Sequence, residues 1–293
     1  MTRNYFAELH PAVNLLYFTA VIVFSMFFLH PVLTVTSLFG SLACYAALNP
    51  QKLPRYLLKF VLPMLVLMSA VNPLLNHAGK TILLYVNDNP FTLEACAYGV
   101  AAAVMFAGVL TWFSCSSAVL TADKIIYLFG RAVPSLSLVF SMVMRFVPRL
   151  KAQTKIIADA QKGIGKGTAG SSVIAKAKNG LNILSMLTTW ALENGIVTSD
   201  SMRARGYGLP GRTSFRIYIF SNRDKITLIL LIVLISTVFL GCAAGETSIR
   251  YFPSIAVKPV TFFGIVVYTT YFLLCIFPIV LNKVLEVQYH GSF

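Results

Sequence analysis

Six apolar stretches, near residues 12–29, 32–48, 58–75, 92–121, 226–244 and 260–281, carry no Asp, Glu, Lys or Arg in their middle. A bilayer core takes about 20 apolar residues per helix, so each run is long enough, or nearly so, to cross one. The first pair is tight, with only His30 and Pro31 between two short runs. With 57% hydrophobic and 12% charged residues and a mean hydropathy of +0.75, the chain reads as an all-α polytopic membrane protein of about six transmembrane helices. One Arg precedes the first run and no small-residue cleavage site follows at a suitable distance, so that run reads as an anchor rather than a signal peptide.

Charge sets the expected orientation. Residues 124–225 hold 16 Lys and Arg against 4 Asp and Glu, which is +12 of the chain's +14. Basic residues beside span ends favour the cytoplasmic side, and Arg223 and Lys225 lie directly before a span. By span counting the 49–59 loop, with Lys52, Arg55 and Lys59, falls on that same side, while the less basic 76–90 and 245–259 loops fall outside. The expected organisation is membrane spans 1–4 over residues 1–121, a cytoplasmic or interfacial segment over 122–225, and spans 5–6 over 226–293, with both termini cytoplasmic. Such a basic segment attracts phosphate, but it lacks the interleaved aromatic residues of a nucleic-acid stacking platform. A solvated or lipid-headgroup-facing surface accounts for many of these lysines, and no nucleic-acid partner is expected.

Within the basic segment, Pro148 suits the first position of a helix, where its missing donor costs nothing. That helix would place Lys151, Lys155 and Lys162 on one face and Ile157, Ala160 and Ile164 on another, ending at Gly163 and Gly165. A second helix is expected from Ser172 to Glu193, broken by Asn194 and Gly195. Ser199 would then cap a short helix to about Arg205, with Gly206 as its left-handed terminator and Pro210 preventing resumption. Lys162-Gly163-Ile164-Gly165 and Arg203-Ala204-Arg205-Gly206 share a pattern of base, small residue, any residue, glycine. Small residues let a helix end approach another backbone, and a guanidinium offers planar donors to carboxylates or carbonyls.

Together these elements resemble the transmembrane T component of energy-coupling factor transporters, the membrane scaffold of a class of ABC-type vitamin and metal-ion importers. The stretch from Leu9 to Leu16 is similar to that family's entry into its first span, and Arg145-Phe146-Val147-Pro148 to its step into the cytoplasmic helices. Ala160-Gln161-Lys162-Gly163-Ile164-Gly165 stands where the family has its first Ala-Arg-Gly signature, and Ala204-Arg205-Gly206 is the second in full. The resemblance implies a non-catalytic, multi-pass subunit of a prokaryotic cell membrane. Its two coupling helices would each dock in one of two ATP-binding cassette ATPase subunits, while its membrane part grips a substrate-binding S component. It implies ATPase docking by Ala204, Arg205 and Gly206 at one end and by Ala160, Gln161, Lys162, Gly163 and Gly165 at the other. The first signature has Gly163 and Ile164 where Ala and Arg are usual, so two unequal docking sites are expected.

Enzyme chemistry finds little purchase. GIGKGT at 163–168 is not a phosphate loop, because a Walker A would want Gly at 160 and Ser or Thr at 167, where the chain has Ala160 and Gly167. Gly79-Lys80-Thr81 has Leu74 where the leading glycine belongs. His10, His30, His77 and His290 are scattered, and the five cysteines never form Cys-x-x-Cys. No cofactor is expected, and Trp112 and Trp190 read as packing or interface anchors. The rival is a self-sufficient permease, or a conventional ABC permease subunit, for a neutral solute. Ion-coupled carriers keep ionisable residues inside their spans, which these runs lack, and Asn72-Pro73 reads as a helix end rather than a broken midplane helix.

Overall fold

The computed structural model describes residues 5–76, 78–86, 89–132, 134–166, 172–210, 218–259 and 261–290. The chain separates into a unit formed by residues 1–125 with 218–293 and a second formed by 126–217.

In the first unit, the short α1 (Tyr5–Glu8) leads into α2 (Pro11–Phe27). His10 caps α2, its Nδ1 accepting from the Ala12 N–H at 3.2 Å, and Pro11 opens the helix where no donor is needed. After the turn at His30, α3 (Pro31–Leu48) again begins on proline. The third apolar run forms one helical rod from α4 (Leu53–Tyr56) through a π-helical turn at Leu57–Val61 into α5 (Leu62–Leu75). Asn72-Pro73 lies in its last turn, where the Asn72 amide donates to the Ala95 carbonyl at 2.7 Å. A hairpin of β1 (Ile82–Val86) and β2 (Asn89–Thr92) precedes α6 (Leu93–Val119). Beyond the second unit come α10 (Asn222–Ala243), a small pair of β3 (Ile249–Arg250) with β4 (Ala256–Val257), and α11 (Phe262–His290), numbered after three helices described below.

Five of these helical segments are long and apolar enough to cross a membrane: α3, the Leu53–Leu75 rod, α6, α10 and α11. The 17-residue α2 is a shorter apolar helix. The chain is an all-α polytopic membrane protein.

Helix α3 packs against α6 and α11, α5 against α6, α10 against α11, and α2 against α6 and α10. Tyr17, Trp112 and Tyr271 are fully buried at the centre. Tyr17 sets its ring edge-on to Phe6, Phe18 and Trp112, with centroids 5.3, 5.2 and 6.1 Å away. Four helices are also stitched by hydrogen bonds. Trp112 Nε1 donates to Ser37 Oγ at 3.1 Å, the Ser37 and Ser25 hydroxyls lie 2.6 Å apart, and Ser25 Oγ is 3.1 Å from the Tyr271 hydroxyl. Lipid offers no hydrophobic drive between helices, so such polar links and close backbone approach carry association. Trp112 is thus an interior packing residue.

His30, at the turn between α2 and α3, is 5% exposed and stacks on Tyr268. The Tyr268 hydroxyl donates to the Glu246 carbonyl at 3.2 Å, so His30 Nε2, 3.3 Å away, is the donor in their shared bond. Among the described residues Nδ1 is then a buried acceptor without a partner. Protonation would put an N–H there with nothing to receive it, and burial holds this imidazole below its ordinary value of 6.5. Burial lowers His10 in the same way, against an opposing pull from Asp224. For a histidine lowered in the folded state, the unfolded chain takes up the proton first as pH falls. Its stabilising contribution is whole above 6.5 and is lost as pH drops through that value toward the lowered one. The thermal midpoint in detergent is therefore expected to fall between about pH 7.5 and about pH 5.5, and the His10→Gln/His30→Gln double variant to flatten that slope.

Candidate functional site

The second unit is built from two long helices. The first, α8 (Pro134–Gly163), follows α7 (Ala122–Ala132), and α9 (Val173–Ala204) completes the numbering. Three expectations are corrected here. Pro148 does not begin a helix but lies inside α8. An interior proline costs one backbone hydrogen bond and a clash, about 3 kcal/mol, and packing against α9 offsets it. Phe146, two residues before, stacks on Trp190 of α9 with centroids 5.8 Å apart.

Asn194 and Gly195 likewise do not break the second helix, and Ser199 caps nothing. The cap is Ser172, whose hydroxyl accepts from the Ala175 N–H at 3.4 Å. Asn194 Nδ2 instead donates back to the Trp190 carbonyl at 2.9 Å, and Thr198 Oγ1 to the Asn194 carbonyl at 2.7 Å. These polar side chains close onto their own helix. One interior glycine costs about 1 kcal/mol, too little to end a helix of 32 residues.

Both helices end the same way, in the register expected for the two basic patterns. At the end of α9, Gly206 takes φ +78°, its N–H bonds the Arg203 carbonyl at 2.9 Å, and the Tyr207 N–H bonds the Met202 carbonyl at 3.0 Å. At the end of α8, Gly165 takes φ +76°, its N–H bonds the Lys162 carbonyl at 3.1 Å, and the Lys166 N–H bonds the Gln161 carbonyl at 2.9 Å. Each is a Schellman motif, with a left-handed glycine closing the last turn. Position by position, Lys162 matches Arg203, Gly163 matches Ala204, and Ile164 matches Arg205.

The ends differ in what they display. Ala160, Lys162, Gly163, Ile164 and Gly165 are exposed, as are Ala204 and Arg205, whereas Gln161 and Gly206 are half-buried. Gln161 Nε2 reaches Met186 Sδ at 3.6 Å, so this residue faces α9. A β-carbon on Gly163 or Gly165 would meet nothing within 4 Å, while one on Gly206 would lie 3.2 Å from Leu209 Cδ1. Where α9 shows a guanidinium flanked by small residues, α8 shows an isoleucine that is 65% exposed. Residues 167–171 and 211–217 lie outside the described residues, so Gly167 and Thr168 of the GIGKGT stretch have no place in this geometry.

The other lysine-glycine motif has a structural occupation. Glu94, in the first turn of α6, is buried, and its carboxylate accepts from the Lys80 N–H at 3.3 Å, the Thr81 N–H at 3.2 Å and Thr81 Oγ1 at 2.6 Å. Gly79-Lys80-Thr81 thus wraps an anion that the chain itself supplies, and the motif clamps the hairpin to α6. Among the described residues, no three His, Cys, Asp or Glu side chains come together in a way that would hold a metal ion.

Several curated proteins are similar to this chain in sequence. The "Energy-coupling factor transporter transmembrane protein EcfT" of Lactobacillus helveticus is 36% identical over 113 residues, 38% of this chain and 41% of that protein. The protein of the same description from Streptococcus thermophilus is 31% identical over 125 residues, 42% of this chain and 47% of that protein. That of Brevibacillus brevis is 29% identical over 209 residues, covering 65% of this chain and 77% of that relative. Over these stretches the chain is similar to energy-coupling factor transporter transmembrane proteins. It spans less than half the length of the first two relatives it matches. No family model matches it. The twin helix ends of this membrane protein are its candidate functional site.

Proposed function

We propose that this chain is the T component of an energy-coupling factor importer. In this reading residues 126–217 lie in the cytoplasm, both termini are cytoplasmic, and α8 and α9 are the coupling helices. Ala204, Arg205 and Gly206 enter a groove of one ATP-binding cassette ATPase, and Ala160, Gln161, Lys162, Gly163 and Gly165 enter that of a second. Closure of the ATPases on ATP drives the helices, and the membrane helices pass that motion to an S component carrying a vitamin or transition-metal ion. ATP is hydrolysed by the partners and not by this chain.

The observation that supports this most is the pair of exposed Schellman ends, matched in backbone and unmatched at one side chain. Such an end closes two of the four carbonyls that a helix C-terminus leaves open, so fewer need cover when it seats against another backbone. The unequal Ile164 and Arg205 suit two different ATPase subunits, since an apolar side chain and a guanidinium need different grooves. A photoreactive residue placed at Ile164 or at Arg205 is expected to cross-link each to a different ATPase. One subunit captured equally from both positions, or none, would count against the assignment.

A further inference from the structure

The second unit is joined to the membrane helices by two connections, near Ile125 and near Tyr218. Each carries one deeply buried charge, Lys124 at 7% exposure and Asp224 at 4%. Burying a charge is costly unless it is fully engaged, and both engage the same place.

Lys124, in the first turn of α7, turns back so that its Nζ donates to the Val119 carbonyl at 2.9 Å and to the Ala7 carbonyl. Asp224 belongs to the capping box of α10, where its Oδ2 accepts from the Ser221 N–H at 2.8 Å and from Ser221 Oγ at 2.7 Å. Its other oxygen accepts from the His10 N–H at 2.9 Å. The imidazole of His10 packs 4.8 Å from the Phe220 ring, adding a second contact to that connection. Lys124 thus binds the C-terminal end of α6 and Asp224 the N-cap of its own α10, and each also binds the backbone of residues 7–10. That segment is itself held, since the Phe6 N–H donates to Asn282 Oδ1 on α11 at 2.7 Å and the Phe6 ring, 2% exposed, sits edge-on to Tyr17 and Phe18.

We infer that Tyr5–His10 is a clasp that ties the two connections of the basic unit to each other and to α11, so that a displacement of one connection is passed to the other and to the membrane helices. Lys124 and Asp224 are its positioning residues. Both grip backbone groups, so the clasp depends on the path of the segment more than on its side chains. Burial lowers the basicity of Lys124, in keeping with an ammonium held by carbonyls away from solvent. Only the clasp's consequence for transport rests on the reading given under Proposed function.

Amide hydrogen exchange of the full chain in nanodiscs tests this, because a lysine serving only its own turn would act locally. Lys124→Met removes the donor at similar length. It is expected to raise exchange about tenfold or more, the factor for losing a charge-assisted bond, over residues 5–10 and also over 218–225. Lys124→Arg, which keeps a donor, restores the 218–225 protection. From the opposite side, His10→Pro deletes the N–H that Asp224 accepts at a backbone φ of −54° that proline tolerates, and it is expected to raise exchange over 119–125. Changes confined to the mutated connection in both variants, or no change at all, overturn the clasp. In the complex with ATPases, Lys124→Met is expected to keep co-isolation while uptake per ATP falls severalfold. Unchanged uptake per ATP overturns its part in coupling. If the wild-type chain isolates no ATPase, the functional reading fails while the exchange result still decides the clasp.

Discussion

Arg205→Ala is expected to cost the chain its ATPase partner at the α9 end while leaving the helix end intact. The Schellman closure runs through the backbone of Met202, Arg203, Gly206 and Tyr207, and none of its bonds uses the Arg205 side chain. That side chain is exposed, so its removal changes little in the isolated chain. In a docked groove its loss strands the facing carboxylate or carbonyls, and truncating one partner of a buried charged pair weakens binding by about 30-fold or more. Pulldown of ATPases with the tagged variant reads this directly. The converse change, Ile164→Arg, restores a guanidinium to the matching position of α8, on an end that already has Gly163 and Gly165. It is expected to alter which ATPase that end retains. Retention of both ATPases by Arg205→Ala together with their loss in Lys162→Ala would reverse the roles of the two ends.

Gly40→Leu is expected to have the largest effect on the membrane unit. A β-carbon on Gly40 would lie 2.6 Å from Cys275 Cβ and 3.5 Å from the Cys275 backbone, so α3 and α11 meet there with no room for a side chain. The obstruction is a second helix and not the end of a flexible side chain. Overpacking of this kind costs about 1–3 kcal/mol for a small intrusion and more for a large one, and in lipid no hydrophobic drive makes up the loss. Gly195→Ala serves as the contrast. Its β-carbon would meet nothing within 4 Å, so it is expected to stabilise α9 by up to about 1 kcal/mol. Unfolding midpoints in mixed micelles distinguish the two.

Hydropathy and punctuation made much of this fold legible. The apolar runs became helices, five of them long and apolar enough to cross a membrane, and the helix stops at Gly165 and Gly206 were readable because a left-handed closing residue favours glycine. The interior of the basic segment was less legible. Pro148, Asn194-Gly195 and Ser199 all carry local signals for a helix boundary, and in each case the helix runs through. The contact of Phe146 with Trp190 joins residues far apart in sequence, and Asn194 bonds its own helix instead of capping one. Propensity alone cannot weigh either. The clasp left only faint traces. Ser221 and Asp224 form a readable capping pair, but that Asp224 also takes the His10 N–H, and that Lys124 reaches Ala7, follows only from the three-dimensional path of the chain. The equivalence of Lys162-Gly163-Ile164-Gly165 with Arg203-Ala204-Arg205-Gly206 was visible in the sequence, and the identical backbone closure at both ends gives it a physical basis.

The most direct measurement is the composition and activity of the complex purified from its native membrane through a tag on this chain. The account predicts co-isolation of two ATP-binding cassette ATPases and a small substrate-binding membrane protein, with ATP-dependent uptake only when all are reconstituted together. Uptake of solute into liposomes by the lone chain would contradict it.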